Sequence, residues 1–136
     1  MAEGVDIAEF PTTLTAARHA GKHGLSTIMG APNAVRGGSH SGNISALELV
    51  ENDLLDGLSS DYVPASLLHA AFYLAETQKG PLHQTVALVS CNIADMDGLP
   101  DRGELAPGKR TDMLQVSIFD GLPVLKKVWK KGRQIA

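Results

Sequence analysis

Between Val5 and Ala75 a short apolar run is followed by helical periodicity three times over, and this alternation constrains the fold more than any other feature. A strand whose next neighbour arrives only after a helix cannot turn back on itself as a hairpin. The pattern therefore predicts parallel strands with right-handed crossovers. The first run, VDIAEFP, closes at Pro11, and TTLTAARHAGKHG follows with Leu14, Ala17 and Ala20 on one face until Gly21 and Gly24 end it. The second run, LSTIMGAPN, stops at Gly30 and Pro32. After a glycine-rich loop, Ser45 and Glu48 have the spacing of a capping box at the head of the helix ALELVENDL. The third run, LLDGLSSDY, leads to Pro64, which opens a long helix striped by Leu67, Leu68, Ala71, Phe72, Leu74 and Ala75.

From Gly80 the pattern changes. GPLHQTVALVSCNIADMDG carries Leu82, Val86 and Val89 at helical spacing, so a fourth helix is expected with no strand before it. The remainder is rich in turns, with apolar runs at Met113 to Phe119 and Val124 to Trp129 joined by DGLP. It reads as a small antiparallel hairpin or meander. The fold class expected is α/β with a small antiparallel β segment.

Composition removes several classes of function. A net charge of −3 without an aromatic-interleaved basic face argues against nucleic acid as the partner. The basic cluster LKKVWKKGR reads as a strand with a solvated lysine edge. Cys91 is the single cysteine, so no internal disulfide forms; its apolar helical surroundings suggest a small buried hydrophobe. No run approaches the length of a membrane span and MAEGVDIAEF lacks a basic leader, so a cytoplasmic protein without membrane contact is expected.

In parallel strand-helix folds the loops leaving the carboxyl ends of the strands gather on one face and build the site. Three segments qualify here: Glu9, the loop from Asn33 to Asn43, and SSDYVP. Asp61 follows an apolar strand and is placed to take a proton from water or to bind a cation; it could equally cap the helix near Pro64. Glu9 is a second candidate acid, or a carboxylate satisfied by neighbouring amides. The loop Arg36, Gly37, Gly38, Ser39, His40, Ser41, Gly42, Asn43 combines unobstructed backbone N–H groups with a fixed cation, an imidazole and hydroxyls, an inventory suited to an anion. It lacks the Gly-Lys-Ser/Thr ending of a Walker A loop, and a simple surface loop is the other reading. His19 and His23 have the spacing of a zinc pair. No glutamate lies between them, and Gly21 and Gly24 weaken the helix. His69 and His83 read as surface or partly packed side chains.

Taken together and in order, IAEFPTT, TIMGAPN, RGGSHSGN and LSSDYVPASLLHAAF resemble the carboxyl-terminal half of the phosphonate-metabolism amidohydrolases of the carbon-phosphorus lyase pathway. DRGELAPGKRTDML looks like the stretch by which amidohydrolases leave the barrel for a small β domain, with Thr111 where alanine is usual. The resemblance implies that residues 1–97 are the last strand-helix units of a (β/α)8 barrel and residues 98–136 a β segment of the adjoining sandwich. It implies a zinc- or manganese-dependent hydrolase that converts a ribose 1-methylphosphonate 5-triphosphate to the 5-phosphate and pyrophosphate. Asp61 would match the aspartate after the last barrel strand, which contacts metal and handles the proton of the attacking water. Glu9 is the other candidate ligand, and Arg36 to Asn43 would hold the phosphorylated substrate.

A whole barrel of this kind takes about 250 residues and eight strands, and no His-x-His occurs in these 136 residues. The chain is thus expected to be a carboxyl-terminal fragment, inactive alone, that self-associates or depends on a missing amino-terminal half. The alternative is a non-catalytic phosphate-binding or interaction module.

Overall fold

The computed structural model describes residues 4–38 and 42–136. Strands β1 (Ile7–Glu9), β2 (Ser26–Gly30) and β3 (Gly57–Ser59) form a parallel sheet in the order β1-β2-β3. The parallel arrangement expected from the alternation is present, with strands shorter than the apolar runs. Helix α1 (Leu14–Lys22) joins β1 to β2. Thr13 Oγ1 caps it by accepting from Ala16 N at 3.1 Å, and Ala17 and Ala20 form its buried face.

Two helices, not one, lie between β2 and β3. Helix α2 (Ala31–Arg36) occupies part of the segment expected to be loop, and α3 (Ala46–Glu51) follows. Pro32 stands in the first turn of α2, where a residue without an N–H forfeits no helical hydrogen bond, so the proline that suggested a stop marks a start. The Ser45–Glu48 capping box forms as expected. Ser45 Oγ accepts from Glu48 N at 3.1 Å, while Glu48 Oε2 accepts from Ser45 N at 2.9 Å.

Helix α4 (Ser66–Gln78) begins two residues beyond Pro64, with Ala65 at the cap position. The single fourth helix expected is instead a pair, α5 (Leu82–Ala87) and α6 (Cys91–Met96). Tertiary bonding makes the break. The Leu88 carbonyl accepts from Leu58 N of β3 at 2.8 Å, and Ser90, at φ −139°, is outside helical geometry. Cys91 therefore opens α6 and is half-buried, not enclosed in an apolar stripe. Gly57 lets α6 approach β3, since a Cβ there would stand 2.5 Å from Ile93 Cδ1.

The core joins β2 and β3 to the helices through Met29, Leu49, Leu58, Leu74 and Leu88, with alanines from α1, α2, α3 and α4. Small side chains at these contacts let short helices sit close to the strands. Asp56, just ahead of β3, bonds twice to Thr27. Its Oδ2 accepts from Thr27 N at 2.7 Å, and its own N donates to Thr27 O at 2.9 Å.

Strands β4 (Met113–Phe119), β5 (Leu122–Lys130) and β6 (Arg133–Gln134) form a separate antiparallel sheet, as the turn-rich ending suggested. Asp120 and Gly121, both at positive φ, make the two-residue turn between β4 and β5. β5 is the middle strand in order, but β6 pairs only with Trp129 and Lys130, so the stretch with Lys126 and Lys127 is paired by β4 alone; all three lysines, Lys126, Lys127 and Lys130, are exposed. Among the described residues no helix is long and apolar enough to cross a membrane.

Candidate functional site

The parallel sheet brings the residues that follow its three strands to one rim. A crevice of about 150 Å³ opens there, lined by Phe10 after β1, Met29 and Gly30 of β2, Asn33 of α2, Asn43 and Asp61. Phe10 adopts φ +55° and its N–H donates to Ile28 O at 2.9 Å, which turns the chain over the end of β2. Ile44 N donates to Thr12 O at 3.1 Å, tying the loop after β1 to the residues ahead of α3.

Asp61 is the one carboxylate among these lining residues. It occupies left-handed backbone space at φ +48°, in the turn between β3 and α4. It does not cap the helix: the cap position belongs to Ala65, which makes no side-chain capping bond, and the turn closes through Val63 N to Ser60 O at 3.0 Å. The carboxylate instead lies against β2. A Cβ on Gly30 would be 3.1 Å from Asp61 Oδ2 and 3.4 Å from Phe10 Cε1. Ser59 Oγ, at the end of β3, is buried with no hydrogen-bond partner among the described residues.

Two further loop features converge on Asp61. The Arg36 guanidinium, in the last turn of α2, lies 5.5 Å from the centre of the Tyr62 ring, a cation–π pair beside Asp61. Gly37, at φ +76°, ends α2 in the left-handed conformation, and Asn43 returns the chain to the crevice. The glycine-rich segment thus leaves and rejoins the site; Ser39, His40 and Ser41 lie outside the described residues. Asn33 holds both arms of this excursion. Its Oδ1 accepts from Ala46 N at 2.8 Å and its backbone oxygen accepts from Gly38 N at 3.2 Å.

Glu9 is exposed, and the crevice is lined by its neighbour Phe10. Of the two candidate acids, Asp61 is among the residues lining this crevice and Glu9 is not. Among the described residues no three His, Cys, Asp or Glu side chains gather where they could hold a metal ion. A catalytic zinc site takes about three protein ligands, so the donors described do not make one. Phe10 was not singled out in the sequence, and Asn33 and Tyr62 stood there only as members of the qualifying segments, with no role of their own. Only the position of Asn33 one residue past a helix-starting proline could have marked it.

A larger, shallow depression of about 310 Å³ lies along the loop before β4, beside Leu105, Lys109 and Arg110. Its cations are engaged with acids of the same loop, Lys109 with Glu104 at 2.8 Å and Arg110 with Asp112 at 2.6 Å. The Glu104 contact holds the Lys109 ammonium above its ordinary range, and the Arg102 guanidinium holds the Asp101 carboxyl below its own. This loop is a chain of local ion pairs linking α6 to the second sheet.

No protein-family model matches the chain. Among solved structures, its fold is shared with an amidohydrolase (TM-score 0.66, 17% identity, 97% of this chain and 40% of that one). It is shared too with an uncharacterized protein (0.67, 16%, 97% and 41%). A third is an amidohydrolase from Thermotoga maritima MSB8 (0.61, 16%, 96% and 43%). These likenesses are ones of fold. In sequence, the chain is 50% identical over 134 residues, 97% of its length, to a protein of Escherichia coli (strain K12), and it spans about a third of that relative, 35%. The resemblance read from the four motifs is borne out: nearly the whole chain is similar to one part of α-D-ribose 1-methylphosphonate 5-triphosphate diphosphatase.

Proposed function

We propose that this chain carries the Asp61 side of the active site of a diphosphatase acting on ribose 1-methylphosphonate 5-triphosphate, and does not turn over alone. The reading is supported above all by 50% identity maintained over 97% of the chain, which includes every residue lining the crevice. In this reading residues 1–97 are strand-helix units of a (β/α)8 barrel, and residues 98–136 a β segment beside it.

Asp61, at the rim and free of a capping duty, accepts the proton of the attacking water. Arg36, stacked near Tyr62, and the backbone N–H groups of Gly37, Gly38 and their neighbours take the phosphoryl oxygens. Ser39, His40, Ser41 and Asn43 complete that cradle. A divalent zinc or manganese ion, when bound by a complete ligand set, polarises a phosphoryl oxygen and acidifies water. The donors described here do not suffice for it.

The test is release of pyrophosphate from the ribose 5-triphosphate in the presence of zinc or manganese. The chain alone should release none. Combined with the part of the E. coli relative that it does not match, it should release pyrophosphate, and Asp61→Asn should abolish this. Release by the chain alone would overturn the partial-site reading, and a folded complex without activity would overturn the diphosphatase reading. The lack of a three-ligand cluster among the described residues favours one second reading, a non-catalytic phosphate-binding module. That reading requires pyrophosphate binding that survives Asp61→Asn and weakens in Arg36→Ala.

A further inference from the structure

At the opposite end of the parallel layer, two imidazoles stand together in water. Helix α1 starts just beyond the carboxyl end of β1 and runs back to the amino end of β2, so its last turn lies away from the crevice. His19 is in that turn and His23 is the C-cap residue. The glycines expected to weaken the helix do not break the pair's register. His23 N is shared between Ala20 O at 3.0 Å and His19 O at 3.3 Å, the second being the helical hydrogen bond that spans these two residues. Their ring centres are 4.5 Å apart with the planes at 60°.

That spacing is one that a shared metal ion allows, at the close end of the range. With metal–nitrogen bonds of about 2.0–2.1 Å and a bite between a right angle and the tetrahedral value, two imidazole centres stand roughly 4.5–5.2 Å apart. Residues four apart on a helix share one face, and the buried face of α1 belongs to Ala17 and Ala20, which leaves both rings exposed. Arg18, the nearest guanidinium on the helix, is engaged with Asn52 Oδ1 at 3.0 Å. The carboxyl end of a helix also carries partial negative charge, which favours a cation.

We propose that His19 and His23 form a chelating site for a divalent transition-metal ion, with water completing the coordination. Nitrogen ligands select the ion: copper(II) binds tighter than nickel(II) or zinc(II), and magnesium and calcium, which prefer oxygen, do not compete. The site is independent of Asp61 and of any metal that serves the crevice. Because the two rings meet only when the turn is helical, the ion binds the folded chain and raises its thermal midpoint.

The experiment titrates the purified chain with nickel(II) and with zinc(II) at neutral pH, following heat of binding and the thermal midpoint. Wild type should bind one equivalent and gain stability. Either His19→Gln or His23→Gln should weaken that binding by about tenfold or more, a loss of about 1.4 kcal/mol, and the double variant should add little, because the pair acts as a unit. His83→Gln, on an exposed histidine elsewhere, should bind as wild type does. Absence of binding at millimolar metal, undiminished affinity in either single variant, or an equal loss in His83→Gln would overturn the proposal.

Discussion

Gly30 and Asp61 are matched across the crevice: the hydrogen on one is what makes room for the carboxylate of the other. A Cβ at Gly30 would lie 3.1 Å from Asp61 Oδ2 and 3.4 Å from Asp61 Cβ. Gly30 itself, at φ −69° and ψ 131°, has a backbone any residue adopts, so crowding alone opposes a side chain there. Gly30→Ala should cost about 1 kcal/mol, the low end of overpacking, because a carboxylate can swing aside. The cost should shrink in an Asp61→Gly background, where the side-chain atoms that a Cβ at position 30 would crowd are absent. Urea unfolding of the four proteins of this cycle measures both.

The capping box links α3 to pH. Accepting from the Ser45 backbone N–H and then from its hydroxyl holds the Glu48 carboxyl below its ordinary range. A depressed folded value means the stabilisation is fully present above the unfolded value of about 4.3 and is lost as pH falls through the lower folded value. Ser45→Ala should destabilise the chain by about 1 kcal/mol at neutral pH. Glu48→Gln should also be less stable than wild type there, and the gap should close in acid. Unfolding midpoints from pH 7 down to pH 3 provide the check.

Ile93 of α6 occupies the space that a side chain at Gly57 of β3 would need. A methyl at position 57 would meet Ile93 Cδ1 at 2.5 Å and Met96 Cε at 3.2 Å. Gly57→Ala should destabilise by about 1–3 kcal/mol. Shortening the opposing side chain in Gly57→Ala/Ile93→Val should recover part of that loss, even though Ile93→Val alone is mildly destabilising. Thermal melts of the single and double variants decide the matter.

Self-association is expected from the second sheet. Leu114 and Ile118 project from the same face of β4, and both are more than half exposed, at 58% and 57%. Apolar side chains grouped on a sheet face gain by covering one another. Sedimentation should show a mass that rises with concentration, and Ile118→Lys should shift it toward the monomer without lowering the thermal midpoint.

The locally encoded features could be read directly from the residues. The Ser45–Glu48 box, the Asp120-Gly121 turn and the alanine face of α1 each depend on groups within a few positions of one another, and each is found where expected. The parallel sheet was legible too, since helices between strands exclude hairpins. What failed was of two kinds: Pro32, local but ambiguous, begins α2 where a stop was expected, and elsewhere the partner is distant in sequence. The helix expected from Gly80 onward is divided because Leu88 gives its carbonyl to β3, 30 positions earlier at Leu58.

The site divides in the same way. Residue type and order alone placed Asp61, Arg36 and the glycines on loops at one rim, because chain direction settles which end of a parallel strand each loop leaves. Only the tertiary structure decided that Asp61 lines the crevice and does not cap α4, and that Arg36 lies over Tyr62. Those outcomes depend on a left-handed turn at Asp61, on the missing Cβ of Gly30 and on the seating of α2 by Asn33. Each is a through-space fit between segments, and spacing along one chain does not encode it.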